Sequence, residues 1–161
     1  MQWSEIISNP ALQDLPFKIE TNEYGQIIMS AATNKHGRLQ SKINNWLETA
    51  SEDGLAFIEC SIETTRGVKV ADVIWCSRRF LERNGFETPY QESPEICAEV
   101  VSPSDSRREM SEKRKLYFDK GAKEVWICHE NGNVTFYNAK GQLEKSEMFP
   151  NFPLFVEIAL R

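Results

Sequence analysis

Two acidic residues stand where acids are costly. Asp72 lies in Val68-Lys69-Val70-Ala71-Asp72-Val73-Ile74-Trp75-Cys76, and Glu99 lies in Ile96-Cys97-Ala98-Glu99-Val100-Val101. Both runs have strand length, and the second is apolar enough to read as a strand buried on both faces. A carboxylate in such a strand is expensive unless it is paired or holds a metal. Two carboxylates meeting on neighbouring strands repel unless a cation lies between them, and oxygen-only ligation suits Mg²⁺ or Mn²⁺. Downstream, Ser102-Pro103-Ser104-Asp105 breaks the strand and offers N-cap residues for a helix. At about 100° per residue, Met110, Lys113, Arg114 and Tyr117 share one face of that helix, while Lys115 points away. Lys113 is thereby drawn towards the packed side, where it could stabilise charge on a phosphate or orient an attacking water. Two acids, a lysine and a hard metal are the parts needed to hydrolyse a phosphodiester. The same residues also fit a structural Glu99–Lys113 ion pair with Asp72 at a turn or edge, and spacing alone leaves both readings open.

The elements that must position these groups follow from the pattern of the chain. Residues 1–15 read as a short helix and a turn, interrupted by Asn9-Pro10, forming an N-terminal helical extension packed on the outside. Phe17 to Thr21 alternates as a half-exposed strand does, and Gln26 to Ser30 returns as its hairpin partner. Thr33-Asn34 can cap a helix over 36–49, with Leu39, Ile43, Trp46 and Leu47 at helical spacing. Strands are expected over 55–62 and 68–76, then a short helix over 78–83 capped by Ser77. After the central strand and helix, Gly121 stops the helix and Lys123 to Cys128 forms another strand. The Asn131-Gly132 turn sends Val134 to Tyr137 back, and Leu154 to Ile158 is expected to make a final edge strand. The order predicts one α/β domain spanning 1–161, a mixed central sheet with helices on its faces.

Composition narrows the classes. With 161 residues, 40% hydrophobic and 27% charged, the chain resembles an ordinary soluble domain. No run approaches the roughly 18 apolar residues of a membrane span, and the N-terminus carries no basic and apolar export pattern. Cys60, Cys76, Cys97 and Cys128 lack zinc-finger or CxxC spacing and read as buried thiols of a cytoplasmic protein. The net charge of −5 argues against a coat of phosphate-binding charge, although acids gathered at a metal site count as acid until the metal arrives. Arg78-Arg79, Arg83 and the stretch from Arg107 to Lys123 supply local basic density, read more readily as solvated helix faces. His36, near the start of a helix, could face the site but reads more readily as exposed or capping, and His129 is expected to lie on the surface. Ser102 and Ser104 have no histidine at readable spacing, which disfavours a serine nucleophile. No glycine-rich phosphate loop occurs.

Four segments carry a resemblance. Ala71-Asp72-Val73-Ile74-Trp75, Ala98 to Ser104, Glu112 to Tyr117 and Gly121 to Ile127 are similar to the Uma-type restriction endonuclease family, a bacterial group within the PD-(D/E)XK nuclease superfamily. The likeness runs from about Phe17 to Tyr137. It implies a restriction-endonuclease-like fold, with Asp72 matching the motif aspartate and Glu99 the (D/E) position. Val101 stands where the superfamily usually places its lysine, and Lys113 on the helix takes over that role. The resemblance further implies a metal-ligating main-chain oxygen at Val101 and a further acid at Glu20. Ala71 replaces the proline of the usual PD pair, which removes no ligand. The expected activity is Mg²⁺- or Mn²⁺-dependent cleavage of DNA, with Asp72, Glu99 and Lys113 as catalytic residues. Cutting both strands would want a two-fold homodimer. The alternative is a catalytically inactive binding or assembly module on the same fold.

Overall fold

The structure, a computed structural model, describes residues 1–160. The chain opens with helix α1 (Trp3–Ser8) and a 3-10 turn at Pro10–Leu12. Strands β1 (Phe17–Thr21) and β2 (Ile27–Ala31) form an antiparallel hairpin that stays outside the main sheet. Helix α2 (Asn34–Ala50) is capped by the Thr33 hydroxyl, which accepts from the His36 N–H. The ribbon β3 (Gly54–Thr64) and β4 (Gly67–Ser77) leads to α3 (Arg78–Asn84). Then come β5 (Ile96–Val100), α4 (Arg107–Asp119), β6 (Glu124–Cys128), β7 (Val134–Asn138) and β8 (Gly141–Leu143).

The six-stranded sheet runs β3-β4-β5-β6-β7-β8. Only β5 and β6 are parallel, because α4 is the crossover between them. Every residue of β5 and β6 is buried, Glu99 and Glu124 included, in strands that are otherwise apolar and covered on both faces. One cover is α2, whose Leu39, Ile43 and Leu47 pack on Val73, Trp75, Ile96, Ala98 and Trp126. The other is α4, whose Met110 and Tyr117 pack on Ile74, Cys97, Val125 and Ile127. Each fully buried leucine or isoleucine contributes about 1.5–3 kcal/mol relative to exposure. The restriction-endonuclease-like arrangement expected from sequence, a mixed sheet between helices, is the one observed.

The β1–β2 hairpin is docked on β4 by specific bonds. The Thr21 hydroxyl accepts from the Val68 N–H at 2.8 Å, and Lys69 donates to the Thr21 carbonyl at 2.8 Å. This contact needs Gly67. It holds φ +86°, and a Cβ there would lie 2.4 Å from the Asn22 carbonyl oxygen.

Three local expectations give way. The cap of α4 is Ser106, which accepts from the Glu109 N–H; Ser102 and Asp105 instead bond each other in a closed turn. The expected edge strand over 154–158 is one bridge, Asn133 to Phe155, since the turn at Phe149–Phe152 and Pro153 leaves little chain free to run alongside. Within that segment Phe152 and Val156 enter the core, while Leu154 and Phe155 stay exposed. His36 is neither exposed nor only a cap residue: its side chain is buried. No helix among the described residues is long and apolar enough to cross a membrane, and all four cysteines are buried free thiols.

Candidate active site

β4 and β5 pair antiparallel, with Val73 opposite Ala98 and Ile74 opposite Cys97. One step further along this register Asp72 faces Glu99. Asp72 also falls at the rung missing from the β3–β4 ladder, between Val73–Ile58 and Ala71–Cys60. Across that gap Glu59 holds φ +56°, a conformation uncommon for a residue with a Cβ. The buried faces of the ribbon change over here. Ala56 and Trp75 pack on the α2 side, whereas Cys60 and Ala71 pack on the α4 side. A local break of this kind re-aims a side chain, and the one re-aimed is Asp72.

Each carboxylate is anchored through one oxygen. Oδ2 of Asp72 accepts the Val100 N–H at 2.8 Å and lies 3.3 Å from Nε2 of His36. Oε1 of Glu99 accepts the Tyr117 hydroxyl at 2.6 Å and has Lys113 Nζ at 3.6 Å. The other two oxygens share a single partner. Lys18 Nζ stands 3.1 Å from Asp72 Oδ1 and 3.3 Å from Glu99 Oε2. Glu20, two residues from Lys18 on β1, completes the cluster. Its Oε2 accepts the Val70 N–H at 2.7 Å and Lys113 at 2.8 Å, with Lys18 at 4.0 Å.

Burial works against every one of these charges, and the outcome differs by site. Burial would raise Asp72, but Lys18, His36 and the Val100 N–H hold it well below the ordinary carboxylate range. Glu20 is likewise lowered, burial being outweighed by Lys113 and Lys18. At Glu99 burial wins and pushes the carboxyl up to about 7, against the pull of Lys113 and Lys18. Burial opposes charge on Lys18 too, yet Glu99, Asp72 and Glu20 raise it well above the ordinary lysine value. His36 is raised by its bond to Asp72 in spite of burial.

The structure therefore brings Asp72, Glu99, Glu20 and Lys113 together. Val101 sits at the end of β5 and donates its N–H to the Cys128 carbonyl at 2.8 Å. The donor chemistry around the centre is carboxylate oxygen, which suits a hard divalent cation. As the side chains stand, no three His, Cys, Asp or Glu among the described residues are gathered to hold an ion, and the Lys18 ammonium fills the centre.

Lys18 and Gln40 are participants that the sequence does not single out, and His36 and Tyr117 take partners that it does not name. The alternation that turns Glu20 inward turns Lys18 the same way, a signal for its face but not for its partners. His36 and Gln40 are one turn apart on α2, so the buried pair could have been paired with an acid; Gln40 donates to the Asp72 carbonyl at 3.0 Å. Tyr117 falls on the inward face of the helical wheel, and its partner there is Glu99. Asp72 and Glu99 are each only 1% exposed, and solvent reaches the cluster from its edges. A cleft of about 630 Å³ reaches Lys18, His36 and Asp72, and another reaches Glu20, Lys69 and Lys113.

The fold is that of a nuclease-like α/β protein. Over residues 11–157 the chain matches the family described as "Uma2: Putative restriction endonuclease", and it belongs to that family. Its fold is similar to that of a crystal structure described as a "putative nuclease belonging to DUF820 from Anabaena variabilis ATCC 29413". The TM-score is 0.64 at 19% identity, with 74% of this chain and 71% of that chain covered. No curated protein matches the chain.

Proposed function

We propose that the protein is a metal-dependent endonuclease that hydrolyses DNA phosphodiester bonds. The observation that carries this reading is the pair Asp72 Oδ1 and Glu99 Oε2, both turned towards one cation between two strands. In this reading Asp72, Glu99 and Glu20 hold Mg²⁺ or Mn²⁺, with the Val101 carbonyl as a further ligand. The ion, when bound, supplies Lewis acidity to the phosphate and lowers the pKa of a water. The chain's own groups do the rest. Lys113 neutralises negative charge developing on the phosphate or positions the attacking water. Val100, His36 and Tyr117 fix the carboxylates so that their free oxygens converge.

Arg66, Arg108 and Lys115 line a depression beside α4 together with Glu112 and Asp119, and Arg66 is paired with Glu112, which leaves Arg108 and Lys115 as the basic groups there for a phosphate backbone. Other basic residues are already engaged: Arg78 bonds Asp53 at 2.7 Å, and Arg114 stacks 3.8 Å over the Tyr137 ring. The reading includes a two-fold homodimer for double-strand cutting and a reducing, cytoplasmic setting for the buried thiols.

The test is cleavage of supercoiled plasmid, linear duplex and single-stranded DNA with Mg²⁺ or EDTA. Wild-type protein is expected to cut only with Mg²⁺, and Glu99→Gln and Lys113→Met to lose about 10²–10³-fold. Cutting unaffected by both substitutions would overturn the assignment. A second reading is favoured by the same lysines: three carboxylates neutralised by Lys18 and Lys113 suit a non-catalytic binding or assembly module.

A further inference from the structure

We infer that Lys18 is a built-in counter-ion that competes with the catalytic metal, so that metal binding and release of the Lys18 ammonium are one event. The inference rests on the proposed metal site and adds how access to it is controlled.

Three observations carry it. Lys18 contacts all three acids of the cluster, at 3.1 Å for Asp72, 3.3 Å for Glu99 and 4.0 Å for Glu20. It takes the two oxygens that the surrounding protein leaves free. Oδ2 of Asp72 and Oε1 of Glu99 are committed to Val100, His36 and Tyr117, whereas Oδ1 and Oε2 have Lys18 as their hydrogen-bond partner. Lys18 also has somewhere to go. It lies on the hairpin outside the main sheet and lines the open cleft beside His36 and Asp72, so its flexible stem can swing the ammonium into solvent. Lys113 differs in the first two respects. It is held on α4 against Glu20 and Glu99 Oε1, at the edge of the cluster.

The physics sets the direction. An ammonium between two carboxylates keeps them converged without a metal, since unpaired they would repel and pay desolvation. A divalent ion entering the same place must break both ion pairs, which lowers its affinity. Removing the ammonium while keeping the stem should therefore weaken the metal-free fold and strengthen metal binding.

The experiment measures Mn²⁺ affinity by calorimetry and melting temperature with and without Mn²⁺, for wild type, Lys18→Met, Lys18→Arg and Asp72→Asn. Expected are Mn²⁺ binding roughly tenfold tighter or more in Lys18→Met than in wild type, near-wild-type affinity in Lys18→Arg, and none in Asp72→Asn. Lys18→Met should melt lower than wild type without metal and gain more on adding Mn²⁺. If Lys18→Met is unfolded alone, its recovery of structure on adding Mn²⁺ supports the inference, and failure to recover it overturns it. Equal affinity in wild type and Lys18→Met overturns the counter-ion role and leaves the metal site standing. Absence of binding in both, with folded protein, overturns the metal site and this inference together.

Discussion

The Lys18 ammonium lies 3.3 Å from Oε2 of Glu99, a residue 81 positions further along the chain. The hairpin thereby delivers a charge to a strand it does not pair with. Gly67 is the point where the hairpin's backbone meets the turn between β3 and β4.

Gly67→Ala should separate the hairpin from the sheet. The new Cβ meets two main-chain oxygens at 2.4 and 2.5 Å, on a residue with φ +86°. The backbone conformation alone costs about 1–3 kcal/mol, and the displaced hairpin takes Lys18 and Glu20 out of the cluster. Chemical denaturation should register the loss, together with weaker Mn²⁺ binding. A variant as stable as wild type would show that the hairpin is not anchored there.

Tyr117→Phe removes the donor to Glu99 Oε1 and leaves a buried acceptor with one partner fewer. Loss of a hydrogen bond to a charged group costs about 1.5–3 kcal/mol. Urea unfolding should show a drop of that order, whereas an unchanged midpoint would mean that Glu99 is held by its lysines alone.

Glu59 is exposed and holds φ +56° opposite Asp72. Glu59→Gly should be tolerated, whereas the β-branched Glu59→Val should cost about 1–2 kcal/mol, because left-handed backbone crowds its Cβ. Thermal melts of the two variants test this. Equal stability would mean that the ribbon can take up a regular conformation at that rung without penalty.

Stability should fall as pH rises through neutrality. Glu99 moves from an ordinary value of 4.5 to about 7, chiefly through burial, so between these values the folded protein binds a proton that the unfolded chain has lost. The folded state is then favoured at the acid end of the window and loses that advantage as pH climbs through about 7. His36, raised from 6.5 by its Asp72 bond, acts in the same direction above that value. Asp72 and Glu20 are lowered, so their contributions disappear only on acidification well below the window. Urea titrations from about pH 5 to about pH 8 should show a decline of a few kcal/mol in wild type and a flatter profile in Glu99→Gln. A rising wild-type profile would mean that Glu99 stays ionised beside its lysines.

Much of this arrangement could be read from residue order. Asp72 and Glu99 betrayed themselves as acids inside apolar strands, and the helical wheel turned Lys113 inward. What escaped is long-range. Nothing local in Phe17-Lys18-Ile19-Glu20 says that this hairpin leaves the sheet and lies across β4, so Lys18 could not be assigned to the acids. His36 follows a capping threonine, a local role that hid its side chain's destination on a strand 36 positions away. The C-terminal segment misled for the opposite reason. Its apolar residues suit a strand, but Phe152 and Val156 are taken into the core and Phe155 makes a single bridge to Asn133.

The convergence of Asp72 and Glu99 on a shared cation is tested most directly by an anomalous difference map from a crystal soaked in Mn²⁺. The predicted result is a peak about 2.1 Å from Asp72 Oδ1 and Glu99 Oε2, with the Lys18 side chain moved into the cleft. Density for Lys18 still bridging the two carboxylates, with no manganese peak between β4 and β5, would contradict it.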